Sequence, residues 1–313
     1  MFYKTINENN ILYEVLYGLT KPNRELPSKL FYDEKGSTLF DEITRLQEYY
    51  PTRTEMQIME DNIEDIGNLL GDGTVLVELG SGSSRKIRLL LDHIPGLAAY
   101  IPIDISEEHL MNSVKKLSDD YSNLDIIPLV ADYTKDFRLP EIKKTYDHLS
   151  AFYPGSTIGN FKPGEAKNFL ARIAKLIGKN GGMIIGVDLK KDIETLEAAY
   201  NDTLGITSQF NLNILDHINY ITGANFEKEK FHHYAFYNKS AGRIEMHLIS
   251  NENQKIRLNG SVIDLKENDD ITTEYSYKYT LKEFEELISD SFELRNVWTD
   301  SEKLFSVQYI RVK

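Results

Sequence analysis

The apolar run TVLVEL at 74–79 stops at a turn that carries Gly80 and Gly82 and runs on to Lys86. A continuous apolar run that ends in glycine-x-glycine reads as a buried parallel strand whose turn lets a nucleotide approach the backbone. Two acids fall at the same kind of place. Asp104 lies at the end of the strand read in AAYIPIDI, 22 residues after Gly82, and Asp132, with Tyr133 beside it, at the end of the third strand, LDIIPLVADY. In open α/β sheets ligands sit beyond the carboxyl ends of the strands, where an acid in the position of Asp104 accepts both ribose hydroxyls. Asp132 is placed for an adenine amino group, and Tyr133 for a backbone donor or a ring wall. A dinucleotide site would want a third glycine where Arg85 stands, to pack the helix beneath a pyrophosphate. That departure weighs against NAD or FAD and favours S-adenosylmethionine (SAM), a nucleotide cofactor with no diphosphate to cradle.

These strand tips need a sheet behind them, and the sequence supplies one. Helical spacing over 54–70 ends at GDG. A second helix follows in RKIRLLLDHI, and a third starts at Ser106 as N-cap with Glu107 and Glu108 in its first turn. DHLSAFY and GGMIIGVDL read as the fourth and fifth strands, separated by the helical GEAKNFLARIAKLIG. Strands alternating with helices predict a doubly wound, Rossmann-like α/β sheet. It closes after the amphipathic YTLKEFEELISDS with an antiparallel hairpin, FELRNVWT and KLFSVQYIRVK. The alternation breaks near residue 191. Helices then precede the strand pairs FHHYAFYNKSAGRIEMHLIS and QKIRLNGSVIDL, with turn signals at Asn238 and Gly260. The boundaries expected from this pattern are 1–14, 55–190 and 278–313 for the SAM-binding domain. A mixed α+β substrate-binding or capping subdomain takes 15–54 and 191–277.

The chain of 313 residues has a net charge of −13, no cysteine and no long basic cluster. Nucleic acid and anionic membranes are therefore unsuitable partners, because phosphate contacts need clustered Lys and Arg. No apolar run reaches the ~20 residues of a membrane span, and no secretory signal is recognisable. A cytoplasmic monomer acting on a small molecule is expected. The seven histidines show no metal-ligand spacing, so no metal is expected, and His232 with His233 reads as two opposite faces of one strand.

Several stretches together resemble one known family. They are LPSKLFYDEKGSTLFDEITRLQEYYPTRTE at 26–55, VELGSGSSRK at 77–86, GSTIGNF at 155–161, RIEMHL and TEYSYKY. They are similar to the histidine-specific Nα-methyltransferases, which make hercynine, the trimethylbetaine of histidine, in ergothioneine biosynthesis. The resemblance covers nearly the whole chain in order. It implies a class I SAM-dependent methyltransferase fold with a substrate-capping subdomain. It also implies that Gly80, Lys86, Asp104, Asp132 and Tyr133 contact SAM, beside Gly82 of the same turn. An ammonium at Lys86 suits the cofactor's carboxylate.

On the substrate side the resemblance gives Asn160 and Tyr200 to the histidine carboxylate, and Tyr49, Glu274 and Ser276 to the imidazole. Met246 would wall the ring. Glu274 and Ser276 share one face of their strand, with Tyr275 on the other. The proposed chemistry is in-line displacement by a neutral α-amine. Gly155 offers a carbonyl to that amine, and either Tyr32 through water or Thr157 stands on the proton's way out. Rival readings are N-methylation of another aromatic amino acid or a tryptophan-derived amine, a NAD-dependent oxidoreductase, and a SAM-binding module without catalysis. A pocket for indole should lose the buried acid and use smaller residues, whereas Glu274 and Met246 are both present.

Overall fold

The computed structural model describes residues 3–4, 8–82, 85–94 and 96–313. It divides into two compact units, and the chain passes between them at Tyr50/Pro51, Lys190/Lys191 and Ser276/Tyr277.

The first unit is built on one sheet. Its strands are β1 (Tyr3–Lys4), β2 (Thr74–Leu79), β3 (Ala99–Asp104), β4 (Asp125–Ile126), β5 (Leu129–Val130), β6 (His148–Tyr153), β7 (Gly182–Asp188), β13 (Phe292–Thr299) and β14 (Phe305–Val312). The order is β1-β5-β3-β2-β6-β7-β14-β13, with β4 on β3. Pairing is parallel from β1 to β7, and β14 runs antiparallel to both β7 and β13. The chain builds outward from β2 through β3 to β5 and then returns to β6 on the other side. That reversal puts the switch point, where such sheets bind ligands, at the carboxyl end of β2.

Strands β2 and β3 are buried at every position, as their unbroken apolar runs require. The expected third strand, LDIIPLVADY, is instead split into β4 and β5. Pro128 lies in the gap, and a proline has no amide to donate to a ladder.

The helix expected over 54–70 is also two pieces, α3 (Tyr50–Asp61) and α4 (Ile63–Leu70). They part at Asn62, which leaves helical geometry at φ −124° while its side-chain amide donates to the Ile58 carbonyl at 2.8 Å. Ile58, Met59, Ile63, Ile66 and Leu70 from these helices join Ile87, Leu90 and Leu91 of α5 (Arg85–His93) over Leu76, Tyr100, Phe152 and Ile184 of the sheet. Ser106 occupies the N-cap of α6 (Glu107–Asp120) without a side-chain capping bond. α7 (Pro163–Ile177) packs against β6 and against α10 (Leu281–Ile288).

The second unit holds α1 (Glu8–Thr20), α2 (Glu34–Ile43), α8 (Ile193–Ala198) and α9 (Ile206–Thr222). It also holds a three-stranded sheet in the order β12-β9-β8, made from β8 (Phe231–Asn238), β9 (Arg243–Ser250) and β12 (Asp270–Tyr277). The hairpin β10 (Gln254–Leu258) and β11 (Ser261–Leu265) stands apart from that sheet and turns through Asn259 and Gly260, at φ 45° and 79°. α2 and α9 pack together. Asp33 caps α2 by accepting from the Gly36 amide at 2.7 Å, and it also accepts from Asn213 of α9 at 2.8 Å. Among the described residues no helix is long and apolar enough to cross a membrane.

Candidate active site

The glycine turn is fixed to the neighbouring strand. The amides of Gly80 and Ser81 both donate to the Ile103 carbonyl, at 2.8 and 3.0 Å. Gly80 has φ 78°, and a Cβ there would stand 3.4 Å from the Tyr133 ring and hydroxyl. Glycine thus meets two demands at once, a left-handed backbone and a close ring.

Asp104, at the tip of β3, is buried. It accepts from the Gly82 amide at 3.2 Å and the Ser106 amide at 2.9 Å. Burial raises its pKa above the ordinary carboxylate value, and those two donors oppose the shift. A carboxylate has about four acceptor positions, so two amides leave capacity for a pair of hydroxyls.

Asp132 accepts from the amide of Thr134 at 3.0 Å, with the Lys135 ammonium 3.9 Å away. Burial, with the charge of Asp104 adding to it, pushes the Tyr133 phenol upward, so it stays neutral. Its ring lies edge-on to Tyr153 at 5.9 Å. The structure therefore brings Gly80, Gly82, Asp104 and Tyr133 together at neighbouring strand tips. The residues present fit an adenosyl group with fixed-charge functions: two glycines at positive φ, a buried acid and a neutral ring.

Lys86 is held by a partner that sequence reading missed. Its ammonium pairs with Glu55 of α3, whose side chain is 1% exposed, against 15% for Lys86. Glu55 also accepts the Gly155 amide, at 2.9 Å from each carboxylate oxygen. Gly155 and Ser156 are both left-handed, at φ 79° and 56°. The unusual Ser156 is braced because its hydroxyl oxygen accepts the Asp188 amide at 2.9 Å. Next comes a single 3-10 turn, Thr157–Asn160, with the Thr157 hydroxyl donating to the Pro154 carbonyl at 3.0 Å.

Two more buried acids went unremarked in the sequence. Asp188 pairs with Lys278 at 2.6 Å, both side chains 1% exposed. Glu78, inside β2, accepts from the Tyr100 hydroxyl, and burial lifts its pKa to about 8.

In the second unit the Tyr200 hydroxyl donates to Ser276 at 2.8 Å, and both residues are buried. The two sequence candidates assigned to opposite ends of a substrate are thus neighbours. The Tyr275 ring meets the Arg243 guanidinium at 3.8 Å, in keeping with the alternation along β12. Tyr32 and Tyr49 both pack edge-on against Phe40, at 5.8 and 6.2 Å. Met246 is buried on β9, beside β12, which carries Glu274.

Behind these residues lies a web centred on the fully buried Asn211. Its amide nitrogen donates to the His247 carbonyl at 3.0 Å and faces His233 Nδ1 at 2.8 Å, while its oxygen accepts the Thr273 hydroxyl at 2.6 Å. His233 Nε2 lies 2.9 Å from the Tyr200 carbonyl, so the network assigns the proton to Nε2. Burial lowers the His233 pKa and keeps the ring neutral. His233 therefore positions Tyr200, a role that its place in an alternating strand did not reveal.

A seven-stranded core in this order, closed by an antiparallel hairpin and carrying a glycine turn with strand-end acids, is a class I SAM-dependent methyltransferase fold. A family model described as histidine-specific, SAM-dependent methyltransferase matches residues 11–312, and the chain belongs to that family. It is 38% identical over 271 residues to the histidine N-alpha-methyltransferase of Mycobacterium tuberculosis, covering 85% of this chain and 83% of that protein. It is 32% identical over 300 residues to ergothioneine biosynthesis protein 1 of Neurospora crassa, covering 88% of this chain and 32% of that longer protein. Among solved structures, the PH0226 protein of Pyrococcus horikoshii matches with a TM-score of 0.51 at 13% identity, over 90% of this chain and 100% of that one. That last likeness bears on the fold alone.

Proposed function

We propose that this enzyme transfers methyl groups from SAM to the α-amine of L-histidine and carries the product to the trimethylated betaine, hercynine, in ergothioneine-type biosynthesis. The observation that carries the reading is the pair formed by Tyr200 and Ser276 in a chain whose family match spans 11–312. A buried tyrosine and serine with no net charge suit a zwitterionic amino acid with a ring that both donates and accepts.

In this reading Gly80 and Gly82 admit the cofactor to the backbone, Lys86 takes its carboxylate, Asp104 its ribose and Asp132 with Tyr133 its adenine. Asn160 and Tyr200 take the substrate carboxylate. Tyr49, Glu274 and Ser276 take the imidazole, with Met246 against the ring. SAM supplies the electrophilic methyl, so the protein's share is orientation and exclusion of water. The amine must be neutral to react, and burial beside a sulfonium favours loss of its proton. The Gly155 carbonyl holds the amine, and Tyr32 or Thr157 stands on the proton's path to solvent. Glu274 disfavours indole because a half-buried acid that loses its donor costs about 1–3 kcal/mol. The enzyme is read as a cytoplasmic monomer acting on a free small molecule.

The test is mass spectrometry of purified protein with SAM and either L-histidine or tryptophan. Histidine should gain one, two and finally three methyl groups while tryptophan stays unchanged. Unmodified histidine, or methylated tryptophan alone, would overturn the assignment.

A further inference from the structure

We propose, resting on the SAM reading above, that Glu55 is a positioning residue for the cofactor. The Glu55 carboxylate pairs with the Lys86 ammonium, turns it toward the ligand's carboxylate, and ties that lysine to the Gly155 turn. Glu55 comes from α3, in the same unit as β2 and β6, and its side chain is almost wholly buried. Room has been made for it. A Cβ on Gly186 of β7 would stand 2.0 Å from the Glu55 carboxylate oxygen, so any larger residue there would evict the acid.

The carboxylate serves two partners, the Lys86 ammonium and the Gly155 amide. Lys86 Nζ lies 3.7 Å from where a Gly155 Cβ would be, so lysine, acid and turn form one compact group. An acid placed only for packing would have its cation buried with it. Here the cation keeps an open side, at 15% exposure against 1% for its partner. An ammonium has three donors, and the Glu55 pair leaves others for an anion arriving from that side. The other groups bearing on this cation are Glu78 of β2 and, through Glu78, Asp104 of β3. Among the described residues neither hydrogen-bonds the ammonium, so Glu55 is its counter-charge.

The experiment titrates S-adenosylhomocysteine calorimetrically into the full chain, comparing wild type, Glu55→Gln and Lys86→Met. Glutamine keeps the size and an acceptor for the Gly155 amide but removes the charge. An ammonium near the interior without its counter-charge gives up its proton more readily. The ratio of wild-type to Glu55→Gln affinity should therefore rise on the order of tenfold between about pH 6.5 and pH 9. Taking the ratio cancels titration of the ligand's own amine. Lys86→Met should bind weakly with no such trend. A ratio that is large but flat with pH assigns Glu55 to packing and overturns the proposal, as does a ratio near one throughout. Gly186→Ala, which displaces the carboxylate, should reproduce the trend and serves if Glu55→Gln does not fold. Wild type that binds no S-adenosylhomocysteine at any pH would instead defeat the SAM reading itself.

Discussion

At the carboxyl ends of its strands the first unit pairs whole charges, the buried Glu55 with the part-exposed Lys86 and the buried Asp188 with the buried Lys278. The web behind Tyr200 and Ser276 in the second unit is neutral: a phenol, two hydroxyls, an amide and an uncharged imidazole. The contrast follows what each unit is read to hold. A cofactor with a sulfonium and a zwitterionic tail calls for fixed counter-charges. An amino-acid side chain is sorted by neutral donors and acceptors set beside a single acid, Glu274, which together penalise a wrong partner.

The strongest way to break this contrast is to remove one member of the deepest ion pair. Lys278→Met leaves Asp188 buried without its cation and should cost about 3–5 kcal/mol in urea unfolding. Asp188→Asn combined with Lys278→Met should recover part of that loss. A single-mutant cost below about 1 kcal/mol would mean that the pair behaves like a screened surface bridge, and the contrast would vanish.

The next effect concerns Glu78. Its folded pKa of about 8 lies above the ordinary 4.5, so between those values the native state binds a proton that the unfolded chain has lost. Stability should therefore fall as pH rises through that window, by about 5 kcal/mol in all. Glu78→Gln should flatten this slope in thermal melts taken across the range. An unchanged slope would show that the acid is ionised in place.

The smallest effect sharpens the neutral side. Asn211→Ala removes the nearer acceptor of the Thr273 hydroxyl, which keeps the Met246 carbonyl at 3.1 Å, and the donor to His233 Nδ1, and should cost about 1–3 kcal/mol. It should also raise the KM for histidine while leaving affinity for S-adenosylhomocysteine unchanged. Equal losses for both ligands would remove the division of labour between the units.

Most of the first unit was readable because its signals are local. β2 and β3 are unbroken apolar runs, and Gly80, Asp104 and Tyr133 stand at strand tips where chemistry is expected. The break at Asn62 was not readable, since Ile58, Met59, Ile63 and Ile66 carry one apolar stripe across it. Glu55, Asp188, Lys278 and Asn211 escaped for a different reason. Their partners are far along the chain, 100 residues from Glu55 to Gly155 and 62 from Asn211 to Thr273. An acid, a lysine or an asparagine looks the same in sequence whether it faces water or a distant partner. The family resemblance supplied the remaining candidates in the second unit, where the residues alone leave Tyr49 as part of an aromatic cluster and Met246 as a core residue.

The position of β14 bears on synthesis as well as on the finished sheet. It lies between β7 and β13, and Ser306 meets Val187 across 119 residues. While a ribosome is still translating the second unit, β7 has already emerged with one ladder of amides and carbonyls uncovered along an apolar strand. Such a nascent edge invites pairing with another chain, and it disappears only when Phe305–Val312 arrives to cover it.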